Sequence, residues 1–231
     1  MNQLWDFLST GSNWTGPRGI WARTWAHVWI SLVACTSAAV IAIPPAVWLA
    51  HGRRIPRLAT AVANLGQAIP TFAIVVLVVP FSIRWGFGLG FWPTAVALVA
   101  LGLPPIFTST YAGVAGTPPA LIEAATGVGM TGGQVLRQVE LPLATPLLVT
   151  GVRIALVQII ATATLGALVG YDCLGTYVIE GLQRPRSGQG RLLGGALLVA
   201  LLAIAADTLV GALQSGQKRV GGRATVVAHG Q

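Results

Sequence analysis

The chain has 231 residues, of which 54% are hydrophobic and 9% charged, where a typical soluble domain carries roughly 25% charged residues. Fourteen Lys and Arg against six Asp and Glu leave a formal charge of +8, with a pI near 11.1 and a mean hydropathy of +0.74. This excludes a disordered tail, a secreted disulfide scaffold and an ordinary soluble domain. It also excludes a nucleic-acid partner, because the basic residues fall in short groups between apolar stretches rather than on one face.

Residues 1–10 lack a basic segment and a compact apolar core with a small-residue cleavage site, so no cleaved signal is expected. Residues 1–24 read as an extracytoplasmic N-terminal segment. The first apolar run, 26–50, has no formal charge and is followed by Arg53, Arg54 and Arg57. Trp21, Trp25 and Trp29 recur every fourth residue at its start, which places them on one helix face as an interfacial aromatic belt. The second run, 58–83, is broken by Asn64, Gln67 and Pro70, and the aromatic, glycine-rich stretch 85–90 reads as a turn. The third run, 91–114, contains Pro104-Pro105. Residues 116–142 are too polar to span. The fourth run, 143–169, carries one charge, Arg153, and 171–190 is polar again. The fifth run, 192–213, carries Asp207, and a basic tail occupies 216–231.

Each run is long enough to cross about 30 Å of hydrocarbon as a helix, and none alternates as a membrane strand must. The expected fold class is therefore all-α integral membrane with about five spans. Prolines inside the spans predict kinks rather than breaks. Five spans place the termini on opposite sides. Seven basic residues (Arg53, Arg54, Arg57, Arg137, Lys218, Arg219, Arg223) then share one side with 116–142, against six (Arg18, Arg23, Arg84, Arg184, Arg186, Arg191) on the other. The cluster after the first run orients the chain with its N-terminus outside and its C-terminus in the cytoplasm.

A charge at bilayer depth must face protein, water or a partner, so Arg153 and Asp207 are expected either to pair as structural charges or to snorkel to the inner interface. Gln67, Thr71 and Gln158 are uncharged polar residues within spans. Helix–helix hydrogen bonding is their default role, with a place on a solute path as the alternative. Cys35 and Cys173 read as free thiols, the latter in a polar loop. The histidines His27, His51 and His229 form no metal-binding pair. No P-loop is present, so the chain binds no ATP in that way, and no nucleophile has an evident base beside it. No metal and no cofactor are expected on this chain.

The most informative segment is TPPALIEAATGVGMTGGQVLRQVELP, residues 117–142. Thr117 can cap a helix with Pro118 at its first position, and that helix should stop at Gly127 or Gly129. Thr131 and Gln134 have the spacing of a capping box for a second short helix, which Leu141-Pro142 should end. In this segment Glu123-Ala124-Ala125, then Gly129, then Val139, Leu141 and Pro142 reproduce the spaced signature of ABC importer permeases, with Val139 where isoleucine is usual. The chain thus resembles the membrane-spanning subunits of binding-protein-dependent ABC importers. The likeness extends over about residues 25–215.

The resemblance implies a type I importer transmembrane domain whose 116–142 loop is a cytoplasmic coupling helix docked on an ATPase. It implies two ATPase subunits holding ATP and Mg, a second permease chain (the same or related), an extracytoplasmic solute-binding protein and a bacterial inner membrane. Ala124 and Ala125 would offer a small, smooth docking face. Asn64–Pro70, Thr110–Val114 and Thr162–Gly170 resemble the osmoprotectant branch, which handles glycine betaine, choline and carnitine. The branch has more glycine where this chain has Tyr171-Asp172-Cys173. An amino-acid importer of the same kind is the near alternative. An ion-gradient-driven transporter would need inverted repeats or an intramembrane ion site, and a membrane enzyme would need clustered His, Asp or Glu; neither pattern appears.

Overall fold

The computed structural model describes residues 2–53, 61, 70–184 and 187–227, and among them every regular element is helical. In chain order these are α1 (Asn2–Ser9), α2 (Ile20–His51), α3 (Thr71–Arg84), α4 (Phe91–Ala115), α5 (Pro119–Gly127), the single turn α6 (Gly132–Val135), α7 (Leu141–Thr162), α8 (Leu174–Leu182) and α9 (Gln189–Val227). A π turn, Leu136–Glu140, joins α6 to α7, and a 3-10 stretch, Ala163–Val169, continues α7.

Among the described residues, four segments are long and apolar enough to cross a membrane: Ile20–His51, Phe91–Ala115, Gly132–Val169 and Gln189–Ala212. Of the second expected span the structure describes Thr71–Arg84, 14 residues and roughly 21 Å of helix. Gln67, the 64–69 part of the branch-like segment, Arg54, Arg57, Arg186 and His229 lie outside the described residues.

One stripe of α2 explains how the bundle closes. Ala34, Ala38, Ala42, Ala46 and Ala50 recur every fourth residue and each is 3% exposed or less. Small side chains let backbones approach closely, the usual basis of helix association in lipid. The stripe packs on α4, itself the central helix against which α2, α3 and α7 lie. There Gly102 leaves only enough room that a Cβ would sit 3.0 Å from Ala38 Cβ and Ile159 Cδ1. On the opposite face of α2, Trp21, Trp25, Trp29 and Trp48 are all exposed.

The prolines do not interrupt the rods. Pro44-Pro45, Pro80, Pro104-Pro105 and Pro146 all lie inside continuous helices. The expected turn after α3 is present, with Gly86, Gly88 and Gly90 at positive φ.

The structure corrects one expectation here and adds detail at the N-terminus. The stretch 171–190 is not simply a polar loop: it holds α8, whose Leu174, Tyr177 and Gly181 are buried. Cys173 is consequently buried rather than loop-exposed, although it is free as expected. Burial pushes its thiol up to about 11. The N-terminal segment is likewise folded. Phe7 of α1 is 6% exposed and meets the Tyr177 ring edge-on at 5.1 Å between centroids.

Candidate coupling loop and its anchorage

The segment between α4 and α7 is a built structure held by local signals. Its first helix is N-capped by Pro118, with Pro119 in the first turn, where a missing N–H costs nothing. The cap therefore falls one residue later than expected from Thr117, which is buried at 3% exposure. At the other end Gly129 has φ +91°. The Met130 N–H donates to Ala125 O at 3.1 Å and the Gly129 N–H to Thr126 O at 2.9 Å. This is the Schellman pair of bonds, which needs a left-handed residue at Gly129's position. The Thr131 N–H then donates to Gln134 Oε1 at 2.7 Å, forming the expected capping box.

The second short helix does not end at Leu141-Pro142. It runs on through the π turn into α7, making one unbroken apolar segment, Gly132–Val169. Pro142 has no N–H for an i−4 bond, and its ring would crowd the carbonyl four residues back. The widened turn absorbs this, with the Leu141 N–H donating to Leu136 O, five residues back. Pro142 itself is exposed, whereas Leu141 is half-buried and packs with Ala50, Val114 and Ala144. Val139 is half-buried within the π turn.

The exposed face of α5 differs from expectation. Ala125 is buried, 8% exposed, and faces the bundle. Leu121 and Val128 are 46% and 82% exposed, and with the exposed Ala124 they fall at positions i, i+3 and i+7 on one face. Glu123 is exposed beside them. A small apolar face on a rigid, capped turn is a surface suited to being covered by another protein.

Two contacts that sequence reasoning missed tie this loop to α2. His51 Nδ1 lies 2.5 Å from Glu140 Oε2, and Glu140 is only 3% exposed. Arg53 Nη2 donates to Thr117 O at 3.4 Å. Partners 89 and 64 residues apart leave no local signal in the sequence.

The intramembrane charges are paired. Arg153 Nε and Nη2 donate to Asp207 Oδ1 and Oδ2, each at 2.6 Å, a bidentate fork that joins α7 to α9. Thr71 opens α3 and Gln158 is exposed on α7; neither side chain has a hydrogen-bond partner among the described residues. Gln67 lies outside them.

A second unforeseen network sits at the other end of α2. Arg23, 5% exposed, is 2.8 Å from Asp172 and 3.2 Å from Glu180, and its guanidinium stacks 4.2 Å over the Tyr177 ring. Arg191 reaches Glu180 at 2.6 Å. No group of three or more His, Cys, Asp or Glu fit to hold a metal occurs among the described residues.

Comparisons with known proteins agree with this architecture. The chain is 33% identical over 207 residues to the glycine betaine/carnitine/choline transport system permease protein OpuCB of Bacillus subtilis, covering 90% of each chain. It is 33% identical over 192 residues to the carnitine transport permease protein OpuCB of Listeria monocytogenes, covering 83% of this chain and 85% of that one. It is 34% identical over 191 residues to the osmoprotectant import permease protein OsmW of Salmonella typhimurium, covering 83% and 88%. Among solved structures, an inward-facing MetNI methionine ABC transporter superposes with a TM-score of 0.70 at 24% identity, covering 87% of this chain and 95% of that one. An amino acid ABC transporter gives 0.70 at 14% identity, covering 85% and 92%; these two likenesses establish the type I importer fold alone. The family described as binding-protein-dependent transport system inner membrane component matches residues 38–219, and the chain belongs to that family of multi-pass membrane permeases.

Proposed function

We propose that the chain is the membrane-spanning subunit of an ATP-driven importer of small osmoprotectant solutes such as glycine betaine, choline or carnitine. The reading rests above all on the capped α5–Gly129–α6 turn, whose exposed Leu121, Ala124 and Val128 await a partner. The names of three relatives at about one-third identity supply the solute class.

In this reading the loop lies in the cytoplasm, the N-terminus outside and the C-terminus inside. ATP and Mg are held by a pair of separate ATPase subunits, and this chain catalyses no reaction. A second permease chain completes the path, and an extracytoplasmic capture protein delivers the solute. Nucleotide-driven closure of the ATPases moves the loop, and the spans follow because α6, the π turn and α7 form one continuous helix. Solute access then alternates between the two sides.

The test is co-expression with the cognate ATPase and capture protein, purification, and reconstitution into liposomes. The expected result is that the ATPase co-purifies and that glycine betaine uptake requires internal ATP. Replacing Val128 by Asp should release the ATPase while leaving membrane insertion intact. Uptake driven by an ion gradient without any ATPase would overturn the reading.

A further inference from the structure

The loop has two feet, Thr117 at the end of α4 and Glu140 at the start of α7. Those two helices continue the chain from the feet and must feel any movement of the loop. Helix α2 has no such covalent link, yet its last residue, His51, and Arg53 just beyond its end reach both feet. His51 meets Glu140 at 2.5 Å and Arg53 meets Thr117 O at 3.4 Å. The imidazole also flanks α6, since its Nε2 lies 3.6 Å from where a Cβ on Gly132 would stand.

Three further observations mark this junction as a clamp. Both feet are buried, Thr117 and Glu140 each 3% exposed. A carboxylate that deep is held only at the cost of losing water, so a partner that remains attached is required. Arg53 is the only non-glycine with positive φ among the described residues, at +47°. The left-handed conformation is unfavourable for a side-chain-bearing residue, and such strain collects where a specific side-chain direction is needed. Beneath the two polar contacts, Ala50, Val114 and Ala144 pack together with exposures of 1%, 1% and 0%. Gly113 is so close to Ala144 that a Cβ would approach its backbone to 3.0 Å.

We infer that the cytoplasmic end of α2 clamps both feet of the coupling loop, with His51 and Arg53 as positioning residues that make α2 move with it. This rests on the coupling reading above and adds the route of transmission. A 32-residue helix is a rod of roughly 48 Å. Its far end carries Arg23, paired with Asp172 and Glu180 in the segment between α7 and α9. One continuous helix therefore joins the loop's feet to an ion-pair network at the opposite end of the bundle. Displacing the feet displaces that network.

The experiment uses the complete complex of permease, ATPase and capture protein in liposomes, and measures ATP hydrolysed per solute imported together with ATPase content. His51→Ala and Glu140→Ala should each raise the ratio on the order of tenfold, the factor matching loss of a charge-assisted hydrogen bond, at unchanged ATPase content. The double variant should be no worse than either single one. His51→Asn, whose amide can still donate to Glu140, should restore the ratio. A second readout does not depend on turnover. Spin labels at the exposed positions 48 and 137 should keep one distance with and without ATP in the otherwise wild-type complex, and spread in His51→Ala. Unchanged ratios in both alanine variants, failure of His51→Asn to restore, or a wild-type label distance that changes with ATP would each overturn the clamp. A wild-type complex without bound ATPase would instead overturn the coupling reading, and the clamp with it.

Discussion

Gly129 offers the sharpest test of how the loop is held. Nothing lies within 4 Å of a Cβ built there, but its φ is +91°. Any cost of substitution is therefore conformational and not steric. Placing an L-residue in left-handed backbone costs about 1–2 kcal/mol, which lowers the population of the native turn by a factor of roughly 5–30. Asparagine tolerates this region, alanine less so, and a β-branched residue least. The expected order of loop integrity is thus Gly, Asn, Ala, Val. Hydrogen exchange at the Met130 amide, which the turn protects through its bond to Ala125 O at 3.1 Å, reads the population directly, and ATPase retention on a nickel column reads its consequence. Gly129→Ala and Gly129→Asn behaving alike, with only size governing the loss, would refute the conformational account and point to a partner surface pressing on position 129.

Further outcomes follow from packing and charge. Gly151→Ala would put a Cβ 2.8 Å from Pro105 O and 2.6 Å from Ser109 Cβ, so it should cost about 1–3 kcal/mol by overpacking. Gly127→Ala meets nothing within 4 Å and should leave the thermal midpoint in detergent unchanged or higher. Arg153→Met and Asp207→Leu should each lower that midpoint by leaving the other charge of the fork alone, and the double variant should recover most of the loss. The Cys173 thiol, held up to about 11 against an ordinary 9.0, stays protonated when folded while the unfolded thiol ionises. Its stabilising contribution is therefore complete below about pH 9 and declines as pH rises toward 11, by about 2–3 kcal/mol. Cys173→Ala should flatten that part of the stability–pH curve relative to wild type, and maleimide should label Cys173 only after unfolding.

What could be read from the sequence was what is encoded within a few neighbouring residues. Pro118, Gly129 and the Thr131–Gln134 box each act over five positions or fewer, and the structure uses all three, shifting only the first cap by one residue. The long apolar runs announced the rods for the same reason. Helix α8 is hard to read because the polar residues of 171–190 dilute its short apolar pattern. Leu174, Tyr177, Val178 and Gly181 do stand at i, i+3, i+4 and i+7, the one-sided pattern of a two-turn helix. The continuation of α6 into α7 is not legible in the sequence because Leu141-Pro142 reads as a stop, whereas a single π turn accommodates the proline. The His51–Glu140 and Arg23–Asp172 contacts join residues 89 and 149 apart, and only the packing of α2 against its neighbours brings them together. Glu-Ala-Ala alone does not say which alanine a short helix turns inward, and the structure buries Ala125 while Ala124 stays exposed.

The alanine seam of α2 has a spectroscopic consequence. By giving the interior to alanines, the helix leaves its indoles outside. Seven of the eight tryptophans in the protein (Trp5, Trp21, Trp25, Trp29, Trp48, Trp85 and Trp92) are between 48% and 73% exposed. Intrinsic fluorescence from this chain therefore reports on the lipid or detergent that bathes it. Quenching by brominated acyl chains becomes a ruler for helix depth, and a change in emission on heating signals the surroundings before it signals loss of the fold.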